Sequence, residues 1–272
     1  MEFLKSEKSV RKILFTGLDN GGKTSIIHSL EREFANIAII NPTKGAQRKI
    51  FKFLDLEISE WDLGGQSKYR ISYIRNPDKY FDNTEIAIFV VDIQDEQRFD
   101  ENEDMIRLLK HKMKIKIKYK PINYYNTSIY RMDTIITAIS KILLELYPKV
   151  ELIDRTLMEF AMRINAEGLL LVDNNSLIIA SYYNNEKTQN LIKKSLIYFL
   201  SLSDILKKSN LFKSSDKDYI LVQKSDKFFH FSEVILNKNY PSYYILSIKG
   251  GQYFYKDDIK TFTKVMGEII YS

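Results

Sequence analysis

The stretch Ile13–Ile27, "ILFTGLDNGGKTSII", sets an apolar run, a glycine loop and a helix-like segment in immediate succession. Ile13, Leu14 and Phe15 are consecutive and apolar, as in a short strand, Val10 to Thr16, buried on both faces of a parallel sheet. Gly17 and Gly22 then stand five apart with Lys23 and Thr24 directly behind, which satisfies G-x-x-x-x-G-K-[ST]. In that spacing the backbone N–H groups of Asp19, Asn20, Gly21, Gly22, Lys23 and Thr24 can point into one concavity. The helix beginning near Lys23 turns its positive end toward it and Lys23 adds a full charge, together solvating a di- or triphosphate. Thr24 places a hydroxyl on a bridging Mg²⁺, and Ser25, next in the same turn, is counted with the binding residues. The plain alternative is that Gly17 and Gly22 merely turn the chain.

Such a loop alone does not separate a GTPase from an ATPase or a small-molecule kinase. A second motif, "WDLGGQ" at Trp61–Gln66, narrows the choice. It follows a strand-like segment, so Asp62 leaves the sheet on the phosphate side and can hold Mg²⁺ through water. Gly65 offers a backbone N–H to the terminal phosphate, and the amide of Gln66 can orient an attacking water. The competing reading is a glycine-rich turn after a strand. Upstream, "NPTKG" at 41–45 supplies Thr43, whose hydroxyl on Mg²⁺ would be released with the terminal phosphate, making that loop a switch.

Around these motifs, strands are expected at Ile50–Phe53 and Leu56–Trp61 about a Leu54–Asp55 turn, centrally in the sheet at Glu85–Asp92, and weakly at Ile122–Asn126. An amphipathic helix is expected from Asp133 to Tyr147, stopped by Pro148. Beyond it the grammar changes to a helix at Leu152–Ile164, a hairpin turning at Asn174–Asn175 and a long helix at Thr188–Leu206. Strands at Tyr219–Lys224, Lys227–Ile235 and Tyr243–Lys249 follow, then a helix at Lys256–Ile270. The expectation is an α/β P-loop domain over 1–148, its parallel sheet flanked by helices, and a smaller α+β domain over 149–272.

The composition agrees with two such cores: 272 residues, 44% hydrophobic. With no cysteine, disulfides and thiolate metal sites are excluded, which fits a reducing compartment, and the cytoplasm is the expected location. His28, His111 and His230 form no metal-ligand spacing, and no serine–histidine–aspartate arrangement can be read. No apolar run is long enough for a spanning helix, and "MEFLKSEKSVRK" lacks the apolar core of a signal peptide.

Taken together, "GLDNGGKTS", "NPTKG", "WDLGGQ", "VVDIQD" and "NTSIY" resemble the Ras superfamily, and within it the Arf and Rag/Gtr groups. The resemblance covers about residues 10–148, and the order of elements from 151 to 272 resembles the roadblock-like domain that Rag proteins carry after their G domain. It implies a GTP/GDP switch with Mg²⁺, in which Lys23, Thr24, Thr43, Asp62, Gly65 and Gln66 hold the roles given above. It also implies guanine contact by Thr127 and Ser128, and homo- or heterodimerisation through the C-terminal domain. Glu2 stands where N-myristoylation requires glycine, so that lipid anchor is not expected.

Two departures stand out. The family reads guanine with an N-K-x-D or H-K-x-D motif. Here the nearest string, His111-Lys112-Met113-Lys114, ends in lysine and lies too soon after Asp92 for a helix and strand between. In the same neighbourhood Arg107 and Lys110, Lys112, Lys114, Lys116, Lys118 and Lys120 occur without an acid. They are read as a solvated edge strand in preference to a membrane patch, with no nucleic-acid partner expected. The leading reading is a GTP-binding switch with slow hydrolysis. Its rivals are a degenerate G domain serving as a scaffold and, more remotely, an ATP-using P-loop enzyme.

Overall fold

The computed structural model describes residues 10–30, 43–114, 122–208, 219–251 and 256–271. The chain divides into two compact units, Met1–Ile129 and Tyr130–Ser272.

The first unit opens with β1 (Arg11–Gly17), the glycine loop and α1 (Lys23–Leu30). β2 (Ala46–Phe53) and β3 (Leu56–Leu63) form an antiparallel hairpin, with Leu54 in the left-handed region at the turn. Next come α2 (Ser67–Arg75), α3 (Pro77–Phe81), β4 (Thr84–Val90), a 3₁₀ turn (Glu96–Arg98) and α4 (Phe99–Lys114). The sheet order is β2-β3-β1-β4, and β1 runs parallel to both neighbours, placing Phe15 opposite Asp62 and Ile88. Both glycine motifs therefore leave the carboxyl ends of adjacent parallel strands on one edge of the sheet, where α/β folds bind ligands. On one face Leu14, Trp61 and Leu63 pack with Tyr73 of α2, Phe81 of α3 and Met105 and Leu109 of α4. Alternation along β1 sends Ile13 and Phe15 to the opposite face, where they are also buried.

Three expectations are corrected here. β4 lies at the edge of the described sheet and is only half-buried, because an apolar run reports burial of its faces and says nothing of what pairs with its flank. Residues 122–127 form no strand. Arg107–Lys114 are helical, not an edge strand: Asn102, Met105 and Leu109 recur on a buried helical stripe, and Glu103 pairs with Arg107 one turn on. Lys116, Lys118 and Lys120 lie outside the described residues, as do Asn41 and Pro42.

The second unit runs α5 (Met132–Leu144), α6 (Val150–Arg163), β5 (Gly168–Val172), β6 (Ile178–Tyr183), α7 (Glu186–Lys208), β7 (Tyr219–Lys224), β8 (Lys227–Val234), β9 (Tyr243–Gly250) and α8 (Lys256–Tyr271). Its five strands are antiparallel in the order β6-β5-β9-β8-β7. From α6 onward this is the order of elements expected from the sequence. The difference is α5, which the sequence groups with the preceding domain. Ile136 of α5 packs with Leu170, Ile192, Phe231 and Leu246 of the second unit, and Ser140 Oγ accepts the Ile178 backbone N–H at 2.8 Å. Amphipathic periodicity marks an apolar face without naming the sheet it covers. On the other side of the sheet Phe160 of α6 stacks on Phe262 of α8 at 4.3 Å between centroids.

Candidate nucleotide site

The glycine loop is built by backbone geometry. Asn20 and Gly22 have φ of 58° and 86°, so the chain turns tightly between β1 and α1 and exposes its N–H groups. Gly17 is held against β4, where an added Cβ would lie 2.4 Å from the Val90 carbonyl oxygen. The resulting pocket, about 220 Å³, is lined by Asp19, Asn20, Gly21, Gly22, Lys23, Thr24, Ser25, Thr43, Gly65 and Gln66.

Lys23 is 4% exposed, and its Nζ donates to the carbonyls of Leu18 at 2.6 Å and Gly17 at 3.3 Å. Burial lowers its pKa below the usual lysine range, with Asp62 and Asp19 acting in the opposite direction. A buried cation whose hydrogen bonds go to carbonyl dipoles is a strong attractor for an anion.

Beside it three oxygens from three chain segments converge. The Thr24 hydroxyl donates to Asp62 Oδ2 at 2.9 Å, the Thr43 hydroxyl donates to the same oxygen at 3.0 Å, and the two hydroxyls lie 2.9 Å apart. Asp62 is 5% exposed, and its Oδ1 is buried with no hydrogen-bond partner among the described residues. An orphaned carboxylate oxygen beside two hydroxyls is a hard oxygen donor set, and it fits Mg²⁺. Thr43 is kept in reach because Gly45, two residues on, accepts hydrogen bonds from the Gly64 N–H at 2.8 Å and the Tyr73 hydroxyl at 2.9 Å.

The glycines of "WDLGGQ" are required by contact. A Cβ on Gly65 would lie 2.2 Å from the Asp19 nitrogen and the Leu18 carbonyl carbon, and one on Gly64 2.4 Å from the Thr43 carbonyl oxygen. Gln66 caps α2 through its backbone carbonyl, which accepts from the Tyr69 and Arg70 N–H groups. Its side chain makes no cap hydrogen bond, leaving the amide beside the pocket for other use.

Thr127 and Ser128 are not among the residues lining this pocket; Thr127 is exposed and Ser128 half-buried. Sequence reasoning did not find Arg98, whose guanidinium donates to the Asp19 carboxylate and carbonyl, nor Glu101 and Arg70, which continue that chain of contacts. Asp19 and Arg98 are 79 positions apart with no spacing signal to join them.

Comparisons with known proteins agree with the motifs. Residues 1–119 match the ADP-ribosylation factor family and residues 96–206 match the Gtr1/RagA G protein conserved region. An ADP-ribosylation factor-like protein 3 of Chlamydomonas reinhardtii is 40% identical over 100 residues, covering 37% of this chain and 53% of the relative. Another, from Caenorhabditis elegans, is 40% identical over 106 residues, covering 37% and 54%. The chain thus spans about half the length of the curated relatives it matches. Among solved structures, the Arl6 BBS3 small GTPase of Trypanosoma brucei with a bound nucleotide analogue is 28% identical, covering 38% of this chain and 55% of that one, with a TM-score of 0.31. Myxococcus xanthus MglB is 12% identical, covering 45% and 87%, with a TM-score of 0.33. The likeness to Arf-type and Gtr1/RagA-type small GTPases read from the motifs is therefore carried by two family matches on overlapping segments.

Proposed function

We propose that the chain is a guanine-nucleotide switch that binds GTP and GDP with Mg²⁺, hydrolyses GTP slowly, and presents different surfaces to partners in its two states. The observation that carries this reading is the convergence of the Thr24 and Thr43 hydroxyls on Asp62 at a pocket that Gly65 and Gln66 also line. The glycine-loop N–H groups and Lys23 hold the phosphates, and the three oxygens hold the cation. When bound, Mg²⁺ supplies charge neutralisation to the outer phosphates. Gly65, whose Cα abuts the loop backbone, brings its N–H toward the terminal phosphate, and Gln66 orients water for attack. Thr43 would help to hold the cation only while the terminal phosphate is present, so its position just before β2 would be what a partner reads after hydrolysis.

Gln66 acts on the attacking water and not on ground-state binding, so Gln66→Leu retains GTP while single-turnover hydrolysis slows by about tenfold or more. Equal rates for the variant and its parent remove Gln66 from the mechanism. The experiment that tests the reading as a whole is that single-turnover assay on the parent with GTP and ATP in parallel: phosphate release from GTP supports it, and release from ATP alone overturns it.

The second unit is proposed to pair with a second copy of itself, as a roadblock-like domain would. Leu191, Tyr198, Leu202 and Ile205, 48%, 76%, 39% and 63% exposed, recur along one stripe of α7, and β7 is one of the two edge strands of the described sheet, with Tyr219 and Val222 exposed. An apolar helix stripe and an open strand edge are both self-complementary about a two-fold axis. Light scattering of the full chain at micromolar concentration is expected to give a dimer, and Tyr198→Glu with Ile205→Glu a monomer. A dimer that survives the double substitution excludes this stripe.

Among the described residues no helix is long and apolar enough to cross a membrane, and the cytoplasm is the proposed location.

A further inference from the structure

A four-residue charge chain starts at Asp19, which lines the proposed nucleotide pocket, and leads away from it. Arg98, in the 3₁₀ turn after β4, donates from Nη2 to Asp19 Oδ1 at 2.6 Å, from Nη1 to the Asp19 carbonyl at 3.2 Å and from Nε to Glu101 Oε2 at 3.0 Å. The other oxygen of Glu101 accepts from Arg70 Nη2. Arg70 in turn sits one helical turn after Gln66, its backbone N–H bonded to the Gln66 carbonyl at 3.1 Å. The chain therefore starts on the phosphate loop and ends on the residue that would orient water.

An aspartate at position 19 is an awkward choice for a loop that wraps a polyphosphate. Asp19 lines the pocket, and an unpaired carboxylate there repels the ligand's own charge. The guanidinium holds that carboxylate ionised and directed at Arg98 with a planar fork that grips side chain and backbone together. Half-exposed ion pairs contribute little to stability, so the arrangement is better read for what it does to the pocket.

We propose that Arg98 is a positioning residue: it neutralises Asp19 at the lip of the phosphate cradle and, through Glu101 and Arg70, ties that lip to the helix capped by Gln66. This rests on the nucleotide reading above and adds a coupling between the phosphate loop and the water-orienting residue. Arg98→Ala then leaves a bare carboxylate facing the phosphates, and the affinity for GTP falls by about tenfold. Asp19→Asn in the Arg98→Ala background recovers most of that loss, a rescue that a purely structural arginine would not produce. Glu101→Gln cuts the tether while leaving the Asp19–Arg98 pair, and slows single-turnover hydrolysis by about fivefold.

Competition of GTP against a fluorescent GDP analogue measures the affinities and single-turnover phosphate release measures the rate, both on the full chain, with melting curves of each variant to verify folding. Equal weakening in Arg98→Ala and in the double variant would show that Arg98 meets the phosphates directly and overturn the proposal. Unchanged affinity in Arg98→Ala, or unchanged hydrolysis in Glu101→Gln, overturns it as well. A parent chain that binds no nucleotide sinks the underlying reading, an outcome distinct from binding that is indifferent to Arg98.

Discussion

Replacing Lys23 by alanine is expected to weaken nucleotide binding by roughly a hundredfold or more. The ammonium is buried, its pKa is depressed by that burial, and among the described residues its hydrogen bonds go to the carbonyls of Gly17 and Leu18. A nucleotide phosphate replaces dipoles with a full counter-charge in a pocket where solvent screening is weak. Charge-assisted hydrogen bonds are worth about 1.5–3 kcal/mol each, so two such bonds to the outer phosphates amount to roughly a hundredfold in affinity or more. Titration calorimetry with GTP in Mg²⁺ measures it, and a melting curve close to the parent's separates lost binding from lost folding. An affinity equal to the parent's would mean that the loop does not cradle phosphate.

Gly65→Ala is the second large effect, and its cause is steric. The new methyl would have to occupy space 2.2 Å from the Asp19 nitrogen, 2.2 Å from the Leu18 carbonyl carbon and 2.4 Å from the Leu18 oxygen. All three are backbone atoms, so no side chain can swing away. Either the end of β3 recedes from the phosphate loop or the loop itself shifts, and both move the Gly65 N–H and Gln66 relative to the phosphates. A displacement of about 1 Å at a reacting centre costs on the order of a hundredfold in rate, and that is the expected drop in single-turnover hydrolysis. Gly22→Ala is a useful contrast: its Cβ would meet open space, and the strain there comes only from φ of 86°. Hydrolysis by Gly65→Ala at the parent's rate would mean that β3 and the loop need not touch during catalysis.

The parts of this site that were legible in the sequence are those in which chemistry is local. Gly17 to Ser25 form one continuous turn, and "WDLGGQ" is one strand end, so residue type and spacing together specify backbone shape. Thr43 was legible only by position, yet its hydroxyl reaches Asp62. What was not legible depends on tertiary placement. Arg98 and Glu101 sit in an acidic, unremarkable segment and gain meaning only when β4 and the 3₁₀ turn deliver them to the phosphate loop. The lysines at every second position from Lys110 to Lys120 suggested a strand, but in the part described, up to Lys114, Asn102, Met105 and Leu109 supply a buried helical stripe and the packing decides. For the same reason α5 could be recognised as an amphipathic helix while the sheet it packs on could not. The short helices α2 and α3 carry polar and aromatic residues without a clear apolar period, and they are fixed instead by Tyr73 and Phe81 inserting beneath them.

The base end of the nucleotide remains the point at which this chain departs furthest from the family pattern. No described strand pairs with the outer edge of β4, His111 lies in α4, and Thr127 and Ser128 do not line the phosphate pocket.

The most direct test of the central claim is the release rate of a fluorescent GDP analogue from the full chain, measured in excess Mg²⁺ and again after chelation with EDTA. If Thr24, Thr43 and Asp62 hold a cation against the phosphates, the analogue is bound in Mg²⁺ and leaves at least about tenfold faster once the metal is removed, since each tenfold corresponds to about 1.4 kcal/mol of lost contact. Release at the same rate with and without Mg²⁺, or no binding in either condition, would contradict the account.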